Sequence, residues 1–259
     1  MEKSLSGQVA IVTGSDSGIG QGTAVEFARQ GASVVVHYLQ DAAGANSTKQ
    51  QIEKIGGKAI VVQADVTKAL DVERLFGTCD AVLGMPTILV NSAGVDASGK
   101  NIEDLAVEDF EKAIATNLTG PFMTCRQLVL RLKKAKATGR IINISSVHQD
   151  IPRAGAVDYD CSKGGLRNLT TTLALELAAN KINVNGIAPG MILTPMNQES
   201  LDDPNEREKQ VQSIPWKRAG EPWEVARLAV YLAGKDSDYV TGATFVIDGG
   251  LMLNQGQGA

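Results

Sequence analysis

A chain of 259 residues with 43% hydrophobic content and 27 glycines can bury one large α/β core joined by many tight turns. Its formal charge of −4, from 25 basic and 29 acidic side chains, leaves no nucleic-acid footprint, and the one dense basic cluster (Arg131, Lys133, Lys134, Lys136) reads as a solvated helix end. Three cysteines (Cys79, Cys125, Cys161) and two histidines (His37, His148) lack metal-ligand spacing, an odd cysteine count argues against a disulfide framework, and no apolar run reaches membrane-spanning length. With no signal-like apolar stretch near Met1, the expectation is a soluble cytoplasmic protein that binds no metal, membrane or nucleic acid.

Val9-Ala10-Ile11-Val12-Thr13 has the continuous apolar character of a strand buried on both faces of a parallel sheet. Gly14, Ser15, Asp16, Ser17, Gly18, Ile19 and Gly20 follow, and then Ala24, Phe27 and Ala28 repeat at helical spacing. Strand, glycine turn and helix together suit a pyrophosphate, because glycines admit close backbone approach and a helix N-terminus offers free N–H groups. The spacing is G-x-x-x-G-x-G rather than the usual dinucleotide G-x-G-x-x-G.

Residues 32–36 form the second strand, which ends at His37 and Tyr38. A dinucleotide fold places the adenosine ribose there, and an acidic residue would hold the 2′-hydroxyl of NAD. None stands at that point, since Asp41 comes later, so a 2′-phosphate meets no repulsion; equally, Ser17 rather than a basic residue precedes Gly18. The balance points to NADP(H) or dual use with NAD(H). His37 is either a hydrogen-bond donor to the cofactor or a strand-end residue facing solvent.

A helix over 42–55 stops at Gly56-Gly57, strand 58–62 leads to Asp65-Val66, and a helix over 71–82 precedes strand 86–90. That fourth strand runs into Asn91-Ser92-Ala93-Gly94, small residues that let a ligand pass over the sheet edge. A long helical region over 107–134 contains Asn117 and then Gly120-Pro121, which should bend it or free a carbonyl. Strand 140–144 ends at Ser145-Ser146, and Leu166, Leu169, Leu173 and Leu177 mark the buried face of the next helix. Within that helix Tyr159 and Lys163 are four apart and share a face, a placement in which an ammonium favours the phenolate and lowers the tyrosine pKa. Residues 182–188 alternate as a sixth strand ending at Pro189-Gly190. Residues 191–220, punctuated by Pro195, Pro204 and Pro215, read as a mobile lid or substrate loop. A helix over 222–233, a strand over 243–247 and Asp248-Gly249-Gly250 close the fold, and the tail over 254–259 is expected to pack through oligomer contacts. Seven strands alternating with helices and no linker predict one domain over 1–259, a Rossmann-type doubly wound α/β fold with a seven-stranded parallel sheet flanked by helices on both faces.

Together these motifs resemble the short-chain dehydrogenase/reductase family over essentially the whole chain. The resemblance rests on Thr13-Gly14-x-x-x-Gly18-Ile19-Gly20, Asp65-Val66, Asn91-Ser92-Ala93-Gly94, Asn117, Ser146, Tyr159-x-x-x-Lys163, Pro189-Gly190, Thr194 and the closing Asp-Gly-Gly. It implies an NAD(P)-dependent enzyme acting on CH–OH groups. Tyr159 would be the general acid/base, Lys163 would bind the nicotinamide ribose and lower the tyrosine pKa, and Ser146 would hydrogen-bond the reacting oxygen. Asn117 would complete a proton relay through water and Lys163. The glycine turn (Gly14, Ser17, Gly18, Ile19, Gly20), His37, Tyr38, Asp65, Val66, Asn91, Ala93, Gly94, Pro189, Gly190, Ile192 and Thr194 would hold the cofactor. Ser92 departs from the family's usual second asparagine, in a structural turn where little loss of activity is expected.

Within the family the chain is similar to bacterial glucose 1-dehydrogenases around Ser145-Ser146-Val147-His148, Ile151-Pro152 and Asn117-Leu118-Thr119-Gly120. That implies a sugar, polyol or hydroxy-ketone substrate touched by Ser146, Tyr159 and His148, the last also readable as a packing histidine. Two other readings stay open. One is a 3-oxoacyl-thioester reductase, against which the acidic segment Glu199, Asp202, Asp203, Glu206 and Glu208 speaks despite Arg207 and Lys209. The other is a non-catalytic dinucleotide sensor, which would not need the tyrosine. A small-molecule substrate and a homotetramer are the partners the family implies.

Overall fold

The computed structural model describes residues 3–197 and 201–254; Glu199 and the tail beyond Asn254 lie outside the described residues. The apolar runs become seven strands: β1 (Val9–Val12), β2 (Ser33–Tyr38), β3 (Lys58–Gln63), β4 (Ile88–Asn91), β5 (Gly139–Ile144), β6 (Ile182–Pro189) and β7 (Thr244–Ile247). All pair in parallel, in the order β3-β2-β1-β4-β5-β6-β7. The helices are α1 (Gly18–Arg29), α2 (Ala42–Lys54), α3 (Ala69–Val82), α4 (Val107–Ile114), α5 (Gly120–Ala135), α6 (Val157–Leu177), α7 (Pro204–Val211) and α8 (Pro222–Ala233).

Side chains of a strand alternate between faces, so one apolar run feeds two cores. Ala10 and Val12 join Phe27 of α1, Ile52 of α2 and Val225, Ala229 and Leu232 of α8 on one face. Ile11 joins Phe76 of α3, Leu128 and Leu132 of α5 and Leu177 of α6 on the other. Each fully buried Val, Leu, Ile or Phe among them contributes roughly 1.5–3 kcal/mol, which is why both faces must be covered by helices.

Three local features bear on the site. The long helical region is not one bent helix: a π-helical turn over Ala115–Thr119 separates α4 from α5. Pro121 cannot donate to the carbonyl of Asn117 four residues earlier, and its ring would press on it; widening the turn relieves both. The alternation in β6 does not mark a solvent face, because every residue of the strand is buried. Asn183 and Asn185 instead each donate to the carbonyl of Val240 at 2.8 Å, tying β6 to the segment that enters β7. The stretch 191–220 is built rather than plain loop. It contains α7, a small core of Val211, Ile214 and Ala219, and a base closed by backbone hydrogen bonds between Gly220 and both Met191 and Leu193 at 2.9 Å.

Candidate active site

Strand order reverses between β1 and β4, and a crevice opens at the carboxyl ends of a parallel sheet where that happens. The glycine turn after β1 forms one wall. Gly14 has φ +60°, and a Cβ there would lie 2.7 Å from the Cα of Ala93, so only glycine lets the turn meet the end of β4. Thr13 pins the junction, its Oγ1 accepting from the amides of Ser92 (3.0 Å) and Ala93 (3.1 Å). α1 starts at Gly18 with no side-chain cap, which leaves first-turn N–H groups for an anion.

His37 fits neither sequence expectation. It is buried, its Nδ1 accepts from the amide of Gly14 at 2.9 Å, and its Nε2–H donates to the carbonyl of Ala64 at 3.0 Å. Burial lowers its pKa to about 4. The ring therefore braces the glycine turn as a neutral group and has no free nitrogen for a cofactor.

The cleft itself is about 210 Å³ and is lined by Gly14, Asp16, Ser17, Gly18, Ile19 and Gly20 on one side. Ala93, Gly94, Ser145, Tyr159, Lys163, Thr194 and Met196 are among the residues that line the rest, whereas Ser146 stands just outside the lining. A larger cavity, about 550 Å³ near Lys3, Arg140 and Asp238, lies at the amino ends of the strands and holds none of this chemistry. Ser146 leaves β5 in extended conformation, and its Oγ accepts from the amide of His148 at 3.2 Å. The Ser146 hydroxyl also hydrogen-bonds the Tyr159 phenol, which favours the phenolate, but burial outweighs this and pushes the tyrosine up to about 12. Lys163 is pushed down to about 8 by its own burial; its Nζ lies 5.4 Å from the Tyr159 ring centroid and donates to the carbonyl of Ile144 at 3.0 Å. The tyrosine-lowering lysine expected from the spacing is thus not what the chain alone provides: the ammonium faces the ring, and Ser146 is the partner of the hydroxyl.

His148 packs edge-on against Tyr159, with ring centroids 6.2 Å apart. Its Nδ1–H donates to the carbonyl of Ile151 at 2.9 Å, so in the neutral ring Nε2 carries the free lone pair. Asn117, in the π turn, spends its side chain on structure: Oδ1 accepts from the amide of Val95 (2.9 Å), while Nδ2 donates to the Val95 carbonyl (3.0 Å) and to Ser162 Oγ (3.1 Å). The side chain of Asn91 is likewise engaged away from the cleft. Its Nδ2 donates to Asn143 Oδ1 at 2.9 Å and its Oδ1 accepts from Thr124 at 2.6 Å, inside the core. Asp65 caps the turn after β3, accepting from the Thr67 amide at 2.9 Å, and Val66 packs on Gly120. Pro189 ends β6, Gly190 is pressed against Asp248, and Ile192 is buried, so of the 189–194 stretch only Thr194 reaches the cleft lining. Tyr38 and His37 close β2 and lie outside that lining.

Sequence reading missed several residues. Asp158, buried, accepts from the amide of Ser98 at 3.0 Å, and Asp160 accepts from the amide of Arg153 at 2.8 Å. The first turn of α6 thereby anchors both loops flanking the tyrosine, and these loops carry the pair Arg153 and Asp96, 3.8 Å apart. Asp16 also lines the cleft. Their sequence neighbours carry no signal for these long-range contacts; only the two acids in the first helical turn hint at an anchoring role.

The cradle suits a dinucleotide: a tight glycine turn, an uncapped helix start, and Gly94, where a Cβ would press to 3.2 Å from Asn117 Oδ1. Among the described residues no group of histidine, cysteine or acidic side chains could hold a metal ion, and no helix is long and apolar enough to cross a membrane. A family model described as enoyl-(acyl carrier protein) reductase matches residues 13–252. Glucose 1-dehydrogenase 2 of Bacillus subtilis is 40% identical, over 99% of both chains, and 3beta-hydroxysteroid dehydrogenase 1 of Eggerthella lenta is 41% identical, over 99% of this chain and 98% of its own. A solved Agrobacterium tumefaciens protein with bound NADP, provisionally assigned as a 2-deoxy-D-gluconate 3-dehydrogenase, superposes with a TM-score of 0.89 at 32% identity, covering 97% of this chain and 99% of that one. Doubly wound parallel sheet, glycine turn, and a serine, tyrosine and lysine around one cleft agree with these likenesses: the chain belongs to the short-chain dehydrogenase/reductase family, NAD(P)-dependent oxidoreductases that act on CH–OH groups.

Proposed function

We propose that this enzyme interconverts an alcohol and a ketone or lactone on a sugar, polyol or related hydroxy-ketone, with Tyr159 as general acid/base. The observation that supports this reading most directly is the meeting of Tyr159 and Lys163 in the cleft walled by the glycine turn, with Ser146 hydrogen-bonded to the tyrosine from beside that lining. When bound, the nicotinamide group supplies or accepts the hydride. The chain supplies the rest. In reduction, Tyr159 Oη gives its proton to the carbonyl oxygen while Ser146 Oγ–H stabilises the charge forming there; in oxidation the phenolate takes the proton back. Lys163 holds the nicotinamide ribose and returns a proton to the tyrosine. Both N–H donors of the Asn117 side chain are spent and its Oδ1 is held by the Val95 amide, so its share of the relay falls to its main-chain carbonyl, which Pro121 cannot engage. Gly14, Ser17, Gly18, Ile19 and Gly20 hold the pyrophosphate, Asp65 and Val66 the adenine, and Ala93, Gly94 and Thr194 the nicotinamide end. Residues 191–220 cover the substrate.

The sugar reading draws support from the glucose dehydrogenase relative and from polar groups beside the tyrosine: the free Nε2 of His148, and Asp96 with Arg153. A hydroxysteroid is the second reading, favoured by the equally similar Eggerthella protein and by the exposed Met196 at the cleft. An acyl-thioester reductase would need an electropositive entrance, whereas Asp16 lines this one and the nearby Arg153 is paired with Asp96. Initial rates with glucose, several polyols, a 3β-hydroxysteroid and an acetoacetyl thioester, each with both dinucleotides, test the reading. Turnover of a sugar or polyol is expected; activity confined to the thioester or the steroid would replace it, and dinucleotide binding without turnover of any alcohol would favour a sensor.

A further inference from the structure

β2 ends without a carboxylate, yet the fold brings one to the same place from a different element. Asp16, in the glycine turn, is half-buried and lines the cleft beside Ser17 and Gly18. The start of α2 packs against this turn so closely that a Cβ on Gly44 would collide with both the Asp41 carboxylate and the Asp16 carbonyl. Asp41 is fixed there, its Oδ1 capping α2 by accepting from the amide of Gly44 at 2.9 Å. Two acids therefore stand side by side at the adenosine end. Burial first, and the Asp41 charge after it, raise the Asp16 carboxyl above its ordinary value, opposed by a hydrogen bond from its own amide.

Among the described residues no lysine or arginine forms an ion pair with Asp16 or Asp41. Asp65, the acid beyond β3, has Lys68 at 3.5 Å, but that lysine side chain is 71% exposed and well screened. His37, the one group at the end of β2 that could have carried positive charge, is neutral with both ring nitrogens engaged.

We infer that Asp16 is a specificity-determining residue that selects the dinucleotide with a free ribose 2′-hydroxyl, NAD(H), over the one with a 2′-phosphate. Its carboxylate accepts a hydrogen bond from the 2′-hydroxyl, the part a carboxylate at the end of β2 plays elsewhere, and together with Asp41 it repels a phosphate ester carrying nearly two negative charges. The inference rests on the reading that this cleft takes a nicotinamide dinucleotide. It departs from the NADP(H) or dual use that the missing acid after β2 suggests, and from the NADP seen in the Agrobacterium relative. Strand-by-strand reading overlooks it because Asp16 precedes β2 in the chain.

Isothermal titration calorimetry of NADH and NADPH into the wild-type protein and Asp16→Ser tests it without reference to turnover. The wild type should bind NADH at least about thirtyfold more tightly than NADPH, and Asp16→Ser should narrow the ratio to about threefold, chiefly by gaining NADPH affinity. Equal binding, or a preference for NADPH, would overturn the inference while leaving the functional reading intact. So would an unchanged ratio in Asp16→Ser. If the serine variant fails to fold, Asp16→Asn, which keeps the shape and removes the charge, gives the same readout. Binding of neither dinucleotide to the wild type would overturn the functional reading and this inference with it.

Discussion

Tyr159 and Lys163 sit one helical turn apart on α6, both buried, and burial drives their pKa values toward opposite neutral forms: tyrosine up to about 12, lysine down to about 8. The hydroxyl of Ser146 is the largest opposing influence on the phenol, since it donates a hydrogen bond that the phenolate accepts best. Ser146→Ala should therefore move the pH profile of alcohol oxidation to the alkaline side and lower kcat by about a hundredfold. A profile that stays in place, with kcat within about twofold, would contradict the role. His37 makes a second residue-scale case. Its folded pKa of about 4 lies below the unfolded value near 6.5, so the unfolded chain takes up the proton first as pH falls. The stability from the neutral ring is complete above about pH 6.5 and is lost on the way down to 4, on the order of 3 kcal/mol. In an NMR titration the His37 C2 proton should not shift until about pH 4; a midpoint near 6.5 would show that the brace on Gly14 does not hold.

At the scale of elements, the polar side chains that sequence motifs assign to the cofactor are largely fasteners between elements. Asn91 of β4 joins Asn143 of β5 and Thr124 of α5, and Asn143 passes the chain on to Thr170 of α6 at 2.9 Å. Asn91→Ala leaves buried partners unsatisfied and should cost about 2 kcal/mol, or roughly 4–8 °C in Tm, with dinucleotide affinity changed less than about twofold. An unchanged Tm with lost affinity would restore Asn91 as a cofactor contact. The break in the long helix was legible from Gly120-Pro121, whereas its form was not. A π turn trades one register of hydrogen bonds for another, and the trade is decided by Asn117 reaching Val95 and Ser162, contacts no local window contains. The same limit explains the acids at 158 and 160: as residues of a helix first turn they read as ordinary, and only the return of two loops to α6 makes them anchors.

Over the whole molecule, apolar runs set off by glycine and proline are enough to place all seven strands, and their number and the alternating helices imply the parallel sheet and the crevice at its carboxyl edge. What periodicity does not reach is where polar residues of a buried strand go. β6 alternates as though half-exposed, yet Asn183 and Asn185 face the backbone before β7. Nor does chain order reveal that Asp16 and Asp41 meet. On the outer faces of α5 and α6, Phe122 is half-exposed and Leu175 is 83% exposed, apolar surface that a homotetramer would cover. Sedimentation equilibrium tests the homotetramer that the family resemblance implies: a four-chain species is expected, and a single chain at micromolar concentration would remove it.

Catalysis in this cleft turns on one proton carried by one phenol. Tyr159→Phe, compared with the wild type for dinucleotide affinity and for kcat on the best alcohol of the panel, tests it most directly. Affinity should stay within about threefold while kcat falls by about a thousandfold or more. A kcat that survives the substitution would contradict it, and the proton would have to be sought on another group.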